Sequence, residues 1–206
     1  MNSKEVKNIL VSKYNFTLDQ IQKLSIFHDK LLDFNSRYNL ISKSTENSIW
    51  ERHILDSAQL VNLIDFTTAN TLVDLGSGGG FPGMVLAIFN VNPSFHVKLY
   101  EKSKVKCLFL SEIGNKLDLS IDIVNDNINN RKISANYVVA RAFKKMPEII
   151  RISREIIKDN HRLIVLKGKN AKNEINLLPE RDKYRYELIE SISDARSKVL
   201  VMEIEK

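Results

Sequence analysis

Five of the chain's seven glycines fall between residues 76 and 83, within Asp74-Leu75-Gly76-Ser77-Gly78-Gly79-Gly80-Phe81-Pro82-Gly83. Glycines packed this densely bring backbone N–H groups up to a ligand, because a side chain would block the approach and some turn positions need positive φ. Thr71 to Leu75, just before them, is a short apolar run with one carboxylate, Asp74, which reads as a buried parallel strand. After Pro82, Met84 to Phe89 reads as a helix with proline in its first turn. Glu101 follows a second strand-like run, Phe95 to Tyr100, and lies 21 residues beyond Gly80. A carboxylate at the tip of a second strand is placed to accept hydrogen bonds from two ribose hydroxyls. The spacing is Gly-x-Gly-x-Gly, not the Gly-x-Gly-x-x-Gly of dinucleotide enzymes, and no Gly-Lys-Ser/Thr closes the loop, which argues against nucleoside triphosphate hydrolysis.

Such a loop needs a sheet to hold it. From Thr71 onward strand and helix patterns alternate: strands over 71–75, 95–100, 120–124, 136–140 and 161–166, and helices over 82–90, 103–115, 145–158 and near 171–178. Two further β-rich runs, Tyr184–Ser191 and Lys198–Glu205, close the chain. The alternation predicts an α/β fold with a mostly parallel sheet and helices on both faces, ending in an antiparallel edge. In such a sheet ligands bind beyond the carboxyl ends of the strands, where strand order reverses. Asp74 with the glycine turn, Glu101, Asn125–Asn129 and Ala140–Phe143 are therefore expected to line one pocket.

Residues 3–64 read as helices. Thr17 and Gln20 have the spacing of a capping box, and Ile21, Leu24, Phe27, Leu31, Leu32 and Phe34 follow at threes and fours. A third helix opens at Glu46 or Ser48 and runs to Leu63. On it Arg52 and Asp56, four residues apart, are predicted to pair along one face. His53-x-x-Asp56 has the residue types of a catalytic pair, but no nucleophile accompanies it, and packing against the glycine loop is the favoured role. With no Pro/Gly linker before Thr71, residues 1–68 are expected to form a helical extension packed on a main domain of residues 69–206.

With 206 residues and 43 % apolar content, the chain can bury one α/β core. No apolar run is long enough to cross a membrane, and Met1 to Leu10 carries no signal-peptide core. Cys107 is the single cysteine, so no disulfide forms within the chain, and a cytoplasmic location is expected. His28, His53, His96 and His161 are scattered and give no metal-ligand spacing. The net charge of +6 lies wholly beyond residue 70, since residues 1–70 hold 8 basic and 8 acidic groups. Between Arg131 and Lys172 stand 12 basic and 3 acidic residues, a local +9 that points to a polyanionic partner.

The loop with its Phe-Pro-Gly ending resembles that of the glucose-inhibited division protein B family, bacterial 16S ribosomal RNA (guanine-N7) methyltransferases with a Rossmann-like S-adenosylmethionine-dependent fold. Tyr38-Asn39-Leu40-Ile41-Ser42, Arg52-His53-Ile54-Leu55-Asp56-Ser57, Ala140-Arg141-Ala142-Phe143 and Leu166-Lys167-Gly168 match it too, so the similarity runs through nearly the whole chain. The resemblance implies S-adenosylmethionine as cofactor and Asp74, Gly76, Gly78 and Phe81 as loop positions of its site. It further implies Glu101 as the ribose acid, Ile128 and Asn129 beside the adenine, and Arg141 near the methionine end and the substrate. Many members carry an Arg two residues before a Glu where this chain has Asn127 and Asn129; asparagine can still bond an adenine edge but brings no charge.

The same resemblance implies N7 of a guanine in the 530 loop of 16S RNA as acceptor. Naked RNA, a 30S subunit and an assembly intermediate all stay open as the form that presents it, and a monomeric enzyme is expected. N7 carries a lone pair and no proton, so no general base is nominated. Lys144, Lys145, Lys167, Lys169 and either Arg196 or Lys198 are candidates for phosphate contacts. Looped or single-stranded RNA is the expected form, since the major groove of paired RNA is too narrow for N7 to be reached. Two other functions compete: methylation of a protein or small molecule, and a non-catalytic RNA-binding or assembly module on the same fold.

Overall fold

The computed structural model describes residues 1–126, 132–179 and 185–206. Among them β1 (Thr71–Leu75), β2 (His96–Tyr100), β3 (Ile121–Val124), β4 (Tyr137–Arg141), β5 (His161–Lys167), β6 (Tyr186–Glu190) and β7 (Lys198–Ile204) form one sheet in the order β3-β2-β1-β4-β5-β7-β6. The first five strands run parallel. β7 is antiparallel to both β5 and β6, which makes the expected antiparallel edge. From β1 the chain winds outward through β2 to β3, then returns to place β4 on the other side of β1. The carboxyl ends of β1 and β4 thus flank the reversal where such sheets bind ligands.

Alternate residues of the strands feed two cores. Leu72, Leu99, Val139 and Ile164 point to one face, where they pack with α4 (Gly83–Phe89), α5 (Lys104–Lys116) and the N-terminal helices α1 (Ser3–Tyr14) and α2 (Leu18–Asn35). Val73, Leu75, Val138, Leu163 and Val165 point to the other, against α6 (Met146–Ile156) and α7 (Ala171–Ile175). Strands buried on both faces read as unbroken apolar runs, and this is why they stood out in the sequence.

The capping box forms as its spacing predicts: Gln20 N donates to Thr17 Oγ1 (3.2 Å), and Thr17 N donates to Gln20 Oε1 (2.9 Å). A second one, Asn2 with Glu5, opens α1. Gln20 also donates through Nε2 to the Phe89 carbonyl at 2.7 Å, which ties the start of α2 to the end of α4. Phe27 packs on Phe81 of the glycine loop at 5.1 Å between ring centroids.

The third helix differs from expectation. It is a succession of 3₁₀ turns (Lys43–Ser48), a π-helical turn (Trp50–Leu55), a single α-turn, α3 (Asp56–Ala58), and a final 3₁₀ stretch (Gln59–Leu63). The wider π turn rotates side chains out of the four-residue register. Arg52 accordingly pairs with Asp194, at 3.1 Å, rather than with Asp56. α6 and α7 are shorter than predicted, ending at Ile156 and Ile175.

Gly83 opens α4 hard against the sheet. A Cβ there would lie 2.4 Å from Leu99 Cδ2 and 2.6 Å from Asp74 Oδ2. Gly83→Ala is expected to cost about 1–3 kcal/mol of stability through overpacking. Chemical denaturation measures it, and an unchanged midpoint would mean that α4 can move away from β1 freely.

Candidate functional site

The loop after β1 is pinned to the tip of β2. Gly76 N and Ser77 N both donate to the Tyr100 carbonyl, at 2.9 and 3.0 Å. Glu101 follows directly: its Oε2 accepts from Gly78 N at 2.9 Å and its Oε1 from Ser103 N at 2.8 Å. Each carboxylate oxygen has a second lone pair, so Glu101 can still accept two further hydrogen bonds. Asn125, just beyond β3, donates to the Glu101 carbonyl at 3.0 Å and holds this corner from the far side. Gly76, Gly78 and Gly80 all have positive φ, at 74°, 57° and 95°.

Asp74 does not reach the cleft surface, where its place at the end of the first strand is expected to bring it. It is fully buried beneath the loop, where its Oδ2 accepts from Gly83 N at 3.0 Å and its Oδ1 has no hydrogen-bond partner among the described residues. Burial pushes its carboxyl up to about 7, against the opposing pull of the Gly83 N–H, Ser77 and the Arg141 charge. Asp74 therefore organises the loop from below and is not among the residues that line the cleft.

Arg141, the last residue of β4, lies over the Phe81 ring at 4.8 Å and donates from Nη1 to the Arg52 carbonyl at 3.2 Å. Asp56 places a carboxylate 3.9 Å away. Burial lowers its pKa to about 10, with Asp56 and Asp74 opposing, so it stays cationic at neutral pH. Ala142, next in the chain, turns with φ of 50°, a left-handed conformation that returns Phe143 over the loop: a Cβ on Gly76 would meet the Phe143 ring at 2.5 Å. Nothing in the sequence marked that turn, because the strained residue is alanine rather than glycine.

His53 stacks on Phe81 at 5.0 Å and shares a hydrogen bond with Thr45 Oγ1 through Nε2 at 2.9 Å. Burial and then the charges of Arg141 and Arg52 push its pKa down to about 3, so it is neutral near pH 7. It packs against the glycine loop, as favoured, and is not part of a catalytic pair with Asp56.

These groups open into one cleft of about 1070 Å³, lined by Gly76, Gly78, Phe81, Glu101 and Arg141 and continuing to Lys144, Lys145, Lys167 and Lys169. The lysines are not equivalent. Lys167, mostly buried, pairs with Glu174 at 2.8 Å and donates to the Lys144 carbonyl, so it works as a latch between β5 and α7. Lys144 pairs with Glu148 at 3.0 Å. Lys145 and Lys169 are exposed and, among the described residues, have no ion-pair partner. Arg196 lies outside the cleft wall in an ion pair with Asp194 at 3.0 Å, and Lys198 pairs with Glu190 at 2.7 Å. Lys102 and Lys106, on the β2 side, also line the cleft and were not singled out in the sequence. Asn127, Ile128 and Asn129 lie outside the described residues.

The sequence profile of GidB, rRNA small subunit methyltransferase G, matches residues 20–198. The chain belongs to this family. It is 34 % identical over 201 residues to the ribosomal RNA small subunit methyltransferase G of Orientia tsutsugamushi (strain Ikeda), covering 97 % of this chain and 98 % of that protein. The corresponding protein of Rickettsia akari is 37 % identical over 180 residues, or 87 % of this chain and 92 % of its own. Among solved structures, a SAM-dependent methyltransferase from Aquifex aeolicus superposes with a TM-score of 0.60 at 14 % identity, covering 85 % of this chain and 97 % of that one. That likeness establishes the shared Rossmann-like methyltransferase fold. Family membership adds that the chain is a methyltransferase, and the cleft at the β1–β4 reversal is where this fold places its ligand.

Proposed function

We propose that the cleft is the transfer site of an enzyme that methylates N7 of a guanine in the 530 loop of 16S ribosomal RNA. The methyl donor is S-adenosylmethionine. The observation that carries the reading is the junction of loop and acid: a glycine turn whose backbone is open at Gly78, held there by Glu101 at the tip of β2, in the same cleft as Arg141. Family membership supports small-subunit ribosomal RNA as the substrate.

The residues present fit the donor. Glu101 has lone pairs left for the ribose hydroxyls. The backbone at Gly78 leaves room for close approach, and the family resemblance assigns Ile128 and Asn129 to the adenine and Arg141 to the methionine end. When bound, S-adenosylmethionine supplies a methyl group on a positively charged sulfur, open to direct displacement. Guanine N7 needs no base, and neutral His53 and buried Asp74 are not required to move a proton. What the chain contributes is proximity and orientation in a shielded cleft. The cleft exceeds the size usual for one small ligand, which leaves space for a nucleotide beside the donor.

Isothermal titration with S-adenosylmethionine tests the first half. Transfer of labelled methyl to 30S subunits from cells lacking the modification, mapped by cleavage at N7-methylguanine, tests the second. Absence of donor binding in folded protein, or a label at another atom, overturns the reading. We further propose that the protein works as a cytoplasmic monomer. Lys145 and Lys169 are assigned to RNA phosphates because no ion pair among the described residues engages their ammonium groups. Lys145→Gln with Lys169→Gln is expected to weaken RNA binding and to flatten its salt dependence, by about 0.7 in slope for each phosphate that is no longer neutralised. A slope equal to the wild type would remove them from the interface.

A further inference from the structure

The turn from Arg52 to Asp56 takes no part in the chemistry proposed above, yet it is built against Arg141. Asp56 faces two ways. Its Oδ2 lies 3.9 Å from Arg141 Nη1, with both side chains largely buried. Its Oδ1 accepts from Ser193 Oγ at 2.6 Å, Ser191 Oγ at 3.0 Å and Gln59 Nε2 at 3.0 Å. The two serines fix the carboxylate against the turn between β6 and β7 and Gln59 steadies it from the adjoining 3₁₀ stretch, so the other oxygen holds a set position. The backbone at Arg52 adds the carbonyl that accepts from Arg141 Nη1. Two of the three groups that locate the guanidinium thus come from one π-helical turn and the residue that follows it, a geometry that recurs at functional sites. The third is the face of Phe81.

A guanidinium has five N–H donors. Among the described residues, one of Arg141's N–H groups is engaged, by the Arg52 carbonyl, and the fork lines the cleft with donors to offer. An arginine this largely buried stays where a fixed anion offsets the loss of hydration.

We infer that Asp56 is a positioning residue: through its anchored carboxylate it holds the Arg141 fork where it meets the methionine carboxylate of the bound methyl donor. The inference rests on the reading of the cleft given above. Asp56→Asn keeps an oxygen for Ser191 and Ser193 and removes the charge facing Arg141, so the turn stays docked while the fork loosens.

A double-mutant cycle on donor affinity tests it, by titration calorimetry of S-adenosylmethionine with wild type, Asp56→Asn, Arg141→Gln and the double variant. Asp56→Asn is expected to weaken binding about tenfold in the wild-type background and hardly at all beside Arg141→Gln, as coupling between contacting residues requires. Asp56→Glu, which retains the charge, is expected to lose less than Asp56→Asn, and it supplies the same cycle should Asp56→Asn fail to fold. Equal losses in both backgrounds, or no loss in either, would overturn the inference while the donor site stands. If the wild type itself binds no donor, it is the reading of the cleft that fails.

Discussion

Gly78→Val is expected to raise the dissociation constant for S-adenosylmethionine by at least about a hundredfold, roughly 3 kcal/mol of lost binding, in a protein that still folds. Two properties of the position combine. The backbone there has φ of 57°, and a side chain in that region costs about 1–2 kcal/mol. A Cβ at Gly78 would meet no atom nearer than the Gly76 carbonyl oxygen at 3.7 Å, so the native fold has room for it. Gly78 lines the cleft, and the added isopropyl group fills space that the ligand needs. Stability therefore falls modestly while binding weakens by about two orders of magnitude or more, whereas Gly83→Ala acts on stability through overpacking. Gly78→Ala is expected to fall between. Thermal unfolding and calorimetry on the same samples separate the two effects, and a folded Gly78→Val protein with wild-type affinity would mean that the donor lies elsewhere.

The parts of the site that could be read from the sequence are those built by neighbours along the chain. The glycine turn, Pro82 and the apolar runs of β1 and β2 carry local signals, and Glu101 follows from the length of one strand–helix–strand unit. The alternation of strands and helices gave the parallel sheet, and the two terminal runs gave its antiparallel edge. What could not be read depends on distant partners. Asp56 meets Ser191 across 135 residues, and Arg52 meets Asp194 across 142. The spacing of Arg52 and Asp56 suggested a surface pair because helical periodicity assumes 3.6 residues per turn, and a π turn breaks that assumption without leaving a mark in composition. Lysines were equally opaque: Lys145 and Lys167 look alike in sequence, and only the position of Glu174 decides that Lys167 is a latch and Lys145 is not. Asp74 was recognised as part of the loop, but its depth below the cleft depends on how closely α4 packs on β1.

That depth has a thermodynamic consequence. Asp74→Asn is expected to gain stability over the wild type as pH rises, by on the order of 4 kcal/mol between pH 4 and pH 8. In the folded protein the Asp74 carboxyl is raised to about 7 from an ordinary value of 3.8. The folded state thus holds the proton more tightly than the unfolded chain. Its contribution to stability is fully present below about pH 4 and is lost as pH rises to about 7, beyond which the curve is flat. His53 and His161 work in the opposite sense. Burial lowers both pKa values, so their contribution is present above their unfolded value near 6.5 and is lost on acidification. The wild-type profile mixes these slopes, but the histidines are common to both proteins and cancel in the difference. Asparagine keeps an oxygen for the Gly83 N–H and carries no charge to desolvate. Its amide nitrogen then lies where Oδ1 already lacks a partner among the described residues, which sets a small offset that does not vary with pH. Denaturation midpoints of the two proteins from pH 4 to pH 8 measure the difference. A gap that stays constant across that range would show that Asp74 is ionised throughout, with water or a neighbour supplying what its buried oxygen lacks.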